Sequence, residues 1–140
     1  MNKNFYKYYI LKDQNLVIEI LKGSFKLSEY INLKQSQFED PDYDPKFNLI
    51  LDIRNIEDIV SQETIKEYTK NIKPIQLFTK NIKAAVVTDS PSQVTGATLY
   101  KLFEDKAIEC EIFSTIEYAL NWLGISELDL EDNDFNKTDR

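Results

Sequence analysis

Phe47-Asn48-Leu49-Ile50-Leu51-Asp52-Ile53 is the stretch on which the fold turns. It is nearly continuously apolar, as expected of a central strand covered on both faces. A second such stretch, Ala84-Ala85-Val86-Val87, ends at Thr88-Asp89. Between them Ser61 opens a segment in which Ile65, Tyr68 and Ile72 fall on one helical side, and Pro74 ends or kinks it; a further turn or two is expected over 75–79. Buried strands separated by a helix want a right-handed crossover and parallel pairing.

Downstream the punctuation is equally clear. Ser90-Pro91-Ser92-Gln93 sets an N-cap serine, a proline at the first helical position and a glutamine two residues further on, opening a helix that runs to about Asp105. Residues 108–113 read as the last strand. Ser114-Thr115-Ile116-Glu117 reads as a second capping box, with Ile116, Ala119, Leu120 and Leu123 on one helical face and Gly124 as the stop. On this reading Ser90 and Ser114 are primarily caps, each costing about 1 kcal/mol when replaced by Ala.

Upstream, residues 5–11 and 16–21 form two runs rich in Tyr, Ile, Leu and Val around Lys12-Asp13-Gln14-Asn15, the pattern of a β-hairpin. After Gly23, apolar residues from Leu27 to Phe38 recur at helical spacing and predict a helix over 28–38 capped by Ser28. The prolines and aspartates of 39–45 predict a surface loop. The expected fold is therefore α/β: a single-layer, mixed and mostly parallel five-stranded sheet with about four helices.

The 140 residues suit one domain, and 42% hydrophobic with 12% aromatic residues is enough for a substantial core. The chain has no His and one Cys, which excludes a His-based triad, a His metal site, a zinc finger and an intramolecular disulfide. A net charge of −7 argues against nucleic-acid and anionic-membrane binding. From residue 125 onward six acidic residues stand against Lys137 and Arg140, so this end holds −4 of the net charge. Residues 1–124 are read as the domain and 125–140 as an acidic, disordered tail. No apolar run predicts a membrane span or a cleaved leader, and a lone buried thiol at Cys110 suits a reducing compartment, so the expected location is cytoplasmic.

Several segments together resemble the STAS family, the sulphate-transporter and anti-sigma-factor-antagonist domain, and more closely its divergent stand-alone bacterial branch. They are Ile20-Leu21-Lys22-Gly23-Ser24-Phe25, Leu49-Ile50-Leu51-Asp52-Ile53, Lys83-Ala84-Ala85-Val86-Val87-Thr88-Asp89, and the closing run Ile112-Phe113-Ser114-Thr115-Ile116-Glu117-Tyr118-Ala119-Leu120-Asn121-Trp122-Leu123. The resemblance spans about Tyr8 to Gly124. It implies a non-catalytic regulatory or protein-interaction module without a cofactor. In well-studied STAS antagonists a serine at the start of the helix after the central strand is phosphorylated; here Ser61 matches the first serine of that motif, whereas Gln62 stands at the phosphoacceptor position and Glu63 replaces the glycine. Ser61 is the candidate phosphosite, with N-cap duty as its ordinary role. The divergent branch also resembles the CRAL-TRIO lipid-transfer fold, which implies an alternative function as carrier or sensor of a small lipid or anionic metabolite. Tyr30, Tyr68, Phe78 and Phe103 are its candidate wall residues, against ordinary core packing.

Open α/β sheets bind ligands at the carboxyl ends of their strands. That rule makes Asp52, Arg54, Asn55, Thr88, Asp89, Ser90 and Ser114 the candidate ligand or partner rim. Arg54 is the charge of interest there, as an anchor for phosphate or carboxylate or as the partner of Asp52, Asp58 or Asp89. No catalytic or metal-binding residue is assigned. Asp40, Asp42 and Asp44 begin like a calcium loop, but Pro45 and Leu51 replace its glycine and bidentate glutamate. Asp52 lacks the extra carboxylates and lysine of a phosphorylated receiver aspartate. The expected partner is a regulatory protein or small ligand; an oligomer is compatible with the sequence.

Overall fold

A computed structural model describes residues 4–58, 60–74, 81–104, 107–128 and 130. The opening hairpin pairs β1 (Phe5–Leu11) antiparallel with β2 (Leu16–Gly23) across a short 3-10 turn that closes on Asn15 in the left-handed region. α1 (Leu27–Glu39), β3 (Asn48–Ile56), α2 (Gln62–Ile72), β4 (Ile82–Val87), α3 (Pro91–Phe103), β5 (Ile108–Phe113) and α4 (Ile116–Leu123) follow. The five strands lie in sequence order in one sheet, and β2 through β5 are parallel. Leu49 sits opposite Ala84 and Asp52 opposite Val87, so the two apolar stretches are adjacent parallel neighbours as predicted.

Each crossover steps in the same direction, and right-handed connections then bring all three joining helices to one face. Leu21, Leu51, Val86 and Cys110 pack there against Tyr30 of α1, Tyr68 of α2 and Tyr100 of α3. Alternate strand residues Ile18, Ile20, Ile50, Ala85 and Val87 point to the other face and meet Ile116 and Ala119 of α4. Ile125, Leu128 and Leu130 are partly buried against this second cluster, continuing its cover beyond Gly124. Residues 129 and 131–140 of the acidic tail lie outside the described residues, as does the further turn expected over 75–79.

Helix starts differ from expectation at two places. α1 begins one residue earlier than predicted, and its N-cap position is Lys26, with no side-chain cap; Ser28 lies inside the helix. α4 is capped by Thr115, whose hydroxyl accepts from Tyr118 N–H at 3.1 Å, and not by Ser114. Both residues carry a hydroxyl suited to capping, so spacing alone left two adjacent registers open. Ser61 and Ser90 cap α2 and α3 as predicted, and Gly124 ends α4 at φ +75°.

Candidate functional site

The strand-end rim is internally bonded. Asp52 shares the face of Ile50 and is 1% exposed, and Arg54 two residues on is 4% exposed. Their groups meet fork to fork, with Arg54 Nε donating to Asp52 Oδ1 at 2.9 Å and Nη2 to Oδ2 at 3.0 Å. The Arg54 backbone N–H adds a third bond to Oδ1 at 3.1 Å. Such a bidentate pair withdraws both charges from solvent and fixes the guanidinium plane.

Gln93 of α3 ties the same strand end down. Its amide donates to the carbonyls of Arg54 and Ile56 at 2.9 and 3.1 Å and accepts from Asp89 N–H at 2.7 Å. Thr88 continues β4 by donating its N–H to Phe113 O at 2.9 Å. Ser90 Oγ accepts from Gln93 N–H at 3.4 Å, so helix start and strand end are one bonded unit. Asn55 is half-buried, whereas Asp89 and Ser114 are exposed. Ser61 is exposed at the start of α2, accepting from Thr64 N–H at 3.1 Å and hydrogen-bonded to the Thr64 hydroxyl at 2.9 Å.

A second polar cluster went unnoticed in the sequence. Glu19 faces α1 from the middle of β2 and is fully buried. It accepts from Tyr30 Oη at 2.6 Å, Lys34 Nζ at 2.6 Å and Gln37 Nε2 at 2.7 Å. The signal was available: Glu19 interrupts an apolar strand, and positions 30, 34 and 37 follow the i, i+4, i+7 rhythm of one helical face.

Beside this cluster, α1, α2, α3 and the sheet leave a cleft of about 50 Å³. A single water needs roughly 10 to 15 Å³ on this measure, so the space suits a ring or a short alkyl chain. Leu21, Leu51, Ile53, Ile65, Val86 and Ala97 form much of its wall, and the wall is almost wholly carbon. Tyr30 and Tyr68 line it as anticipated, joined by Tyr100. Phe103 packs on the same cluster without lining the cleft, and Phe78 lies outside the described residues. The mouth opens beside the carboxyl ends of β2 and β3, where Phe25, Asp58, Val60 and Ser92 stand.

The tyrosine rings are stepped across this face, with Tyr30 to Tyr68 centroids at 5.2 Å and Tyr68 to Tyr100 at 6.0 Å. Burial raises all three phenols well above their usual ionisation range; Glu19 adds to this at Tyr30, and Glu104 at Tyr68 and Tyr100. Tyr68 Oη lies near the hydroxyls of its two neighbours without a well-formed bond to either. Cys110 behind them is pushed up to about 12, by burial first and then by Glu104, which makes it an inert thiol. Among the described residues no helix is long and apolar enough to cross a membrane.

No family model matches the chain, and no curated protein sequence does. The chain is similar to an uncharacterised protein of the DUF3478 family from Shewanella loihica PV-4, whose crystal structure is described as having a SpoIIAA-like fold. The TM-score is 0.61 at 16% identity, covering 88% of this chain and 97% of that one. That likeness extends over nearly the whole sheet and its helices, and with the strand order and crossovers above it shows that this chain has the SpoIIAA-like, STAS-like fold.

Proposed function

We propose that this chain is a non-catalytic STAS-like regulatory module that acts by binding. The observation that carries this reading is the bonding of the strand ends, where Asp52 and Arg54 pair fork to fork. Gln93 takes up the neighbouring carbonyls. Groups held this way serve rigidity, and they leave the loop tips at Asn55, Asp89, Ser90 and Ser114 as the partner-facing rim. Ser61, exposed at a helix N-terminus, is the position where a phosphate would be electrostatically favoured on this module.

The test is turnover. Incubation with a cytosolic metabolite extract should leave substrate levels unchanged for the natural chain and for Asp52→Asn, Arg54→Lys and Asp89→Asn alike. Consumption of a metabolite that stops in those variants would overturn the proposal.

A second reading, a sensor or carrier of a small apolar ligand, is favoured by the carbon-lined cleft. Here the working volume lies under the three crossover helices, and the rim is its border. The same observations weigh against an anionic metabolite at Arg54, because an incoming phosphate or carboxylate would have to displace Asp52 from a bidentate pair.

A further inference from the structure

We infer that the cleft takes an amphiphile with a short alkyl tail and an ammonium head, the head resting on Asp58; this rests on the apolar-ligand reading above. The interior has no charge to offer a head group, since its wall is almost wholly carbon. Specificity for the head must therefore come from the mouth. Among the described residues, Asp58 is the one ionisable residue that lines the cleft apart from the buried tyrosines. It is exposed, and among the described residues one of its carboxylate oxygens is engaged, with Oδ1 accepting from Phe25 N–H at 2.9 Å. That bond fixes the carboxylate at the opening and leaves Oδ2 for a donor. Ser92 adds a hydroxyl on the α3 side.

Charge further in has the same sign. Glu19 and Glu104 both act on Tyr68 behind the wall, and Glu19 is matched by Lys34 while facing away into its own network. A carboxylate head would thus meet like charge at the mouth, and a buried one would find no cation among the described lining residues. Lys26, next to Phe25 in the chain, is exposed and does not line the cleft. An ammonium meets Asp58 with complementary charge while its tail lies against the carbon wall.

Hexylammonium, 1-hexanol and hexanoate share one tail and differ in head, so they separate the two questions. Titrations of the full 15N-labelled chain read binding at the Gly96 and Ala97 amides, which lie in the cleft wall. Hexylammonium should bind about threefold to fivefold more tightly than 1-hexanol, the range of a solvent-exposed ion pair, and hexanoate more weakly than either. Asp58→Asn keeps the acceptor for Phe25 N–H and should erase the ammonium advantage while leaving 1-hexanol unchanged. Equal or tighter binding of hexanoate, or an ammonium preference that survives Asp58→Asn, overturns this inference and leaves the apolar-ligand reading standing. Absence of shifts at Gly96 and Ala97 with all three probes overturns both.

Discussion

Two neighbouring hydroxyls show how finely single residues are assigned. Thr115 caps α4 and Ser114 does not, so Thr115→Ala should lower stability by about 1 kcal/mol while Ser114→Ala stays within roughly 0.5 kcal/mol. Chemical denaturation of the two variants decides this, and equal losses would return the cap to Ser114. Asp52 and Arg54 make a stronger case. Removing either side chain alone leaves a buried charge without its partner and should cost about 3 to 5 kcal/mol, whereas Asp52→Leu combined with Arg54→Leu should cost less than the larger single loss. A double variant as unstable as the sum of its singles would show that the two groups act independently. The sequence made the Asp52 pairing readable because the residues are two apart on one strand; it could not say that the fork is fully enclosed, which depends on Ile20 and Val87 from the flanking strands.

Among the elements, α1 departs furthest from its pattern. Its sequence suggests an apolar face from Leu27, Tyr30, Leu33 and Phe38, yet Lys34 and Gln37 are as buried as Tyr30 because Glu19 awaits them on β2. Periodicity scores a lysine as outward-facing and cannot see a carboxylate on another element. Lys34→Met should therefore destabilise by about 3 kcal/mol or more despite its gain in apolar character, read from the urea midpoint. A neutral or stabilising outcome would mean that the network contributes nothing net. α3 offers the opposite prospect. Gly96 sits in the helix interior, and a Cβ there would meet Val60 Cβ at 3.8 Å, an ordinary contact. Gly96→Ala should raise stability by about 0.5 to 1 kcal/mol through helix propensity, measurable as a higher denaturation midpoint.

For the whole molecule, the mixed, mostly parallel sheet and the parallel pairing of β3 with β4 followed from two apolar stretches and the caps after them, since these signals are local and mutually consistent. The cleft was not legible in the same way. Aromatic spacing marked Tyr30 and Tyr68 as inward-facing, but a gap of about 50 Å³ is the difference between the volumes of several elements and has no single residue as its sign. The buried acids on the three-helix face give the fold a pH signature. Cys110 ionises near 9.0 when unfolded and only near 12 when folded, and the three tyrosines rise from 10.0 in the same sense. The folded state then holds protons that the unfolded state releases, so stability is full below about pH 9 and falls as pH climbs beyond it. Urea midpoints at about pH 8 and about pH 10.5 should differ, with the alkaline value lower; equal midpoints would show that these groups are not sequestered.

The claim on which the small-ligand reading rests is that its working volume lies under α1, α2 and α3, with the rim as its border. Native mass spectrometry of the gently purified full chain tests it most directly, with Gly96→Leu, whose side chain fills the cleft, beside the natural sequence. That reading predicts a stoichiometric non-covalent small-molecule adduct on the natural chain that is lost from Gly96→Leu. A clean apo mass for the natural chain, or an adduct that Gly96→Leu retains, would contradict that reading, and a clean apo mass would leave the regulatory-module proposal standing.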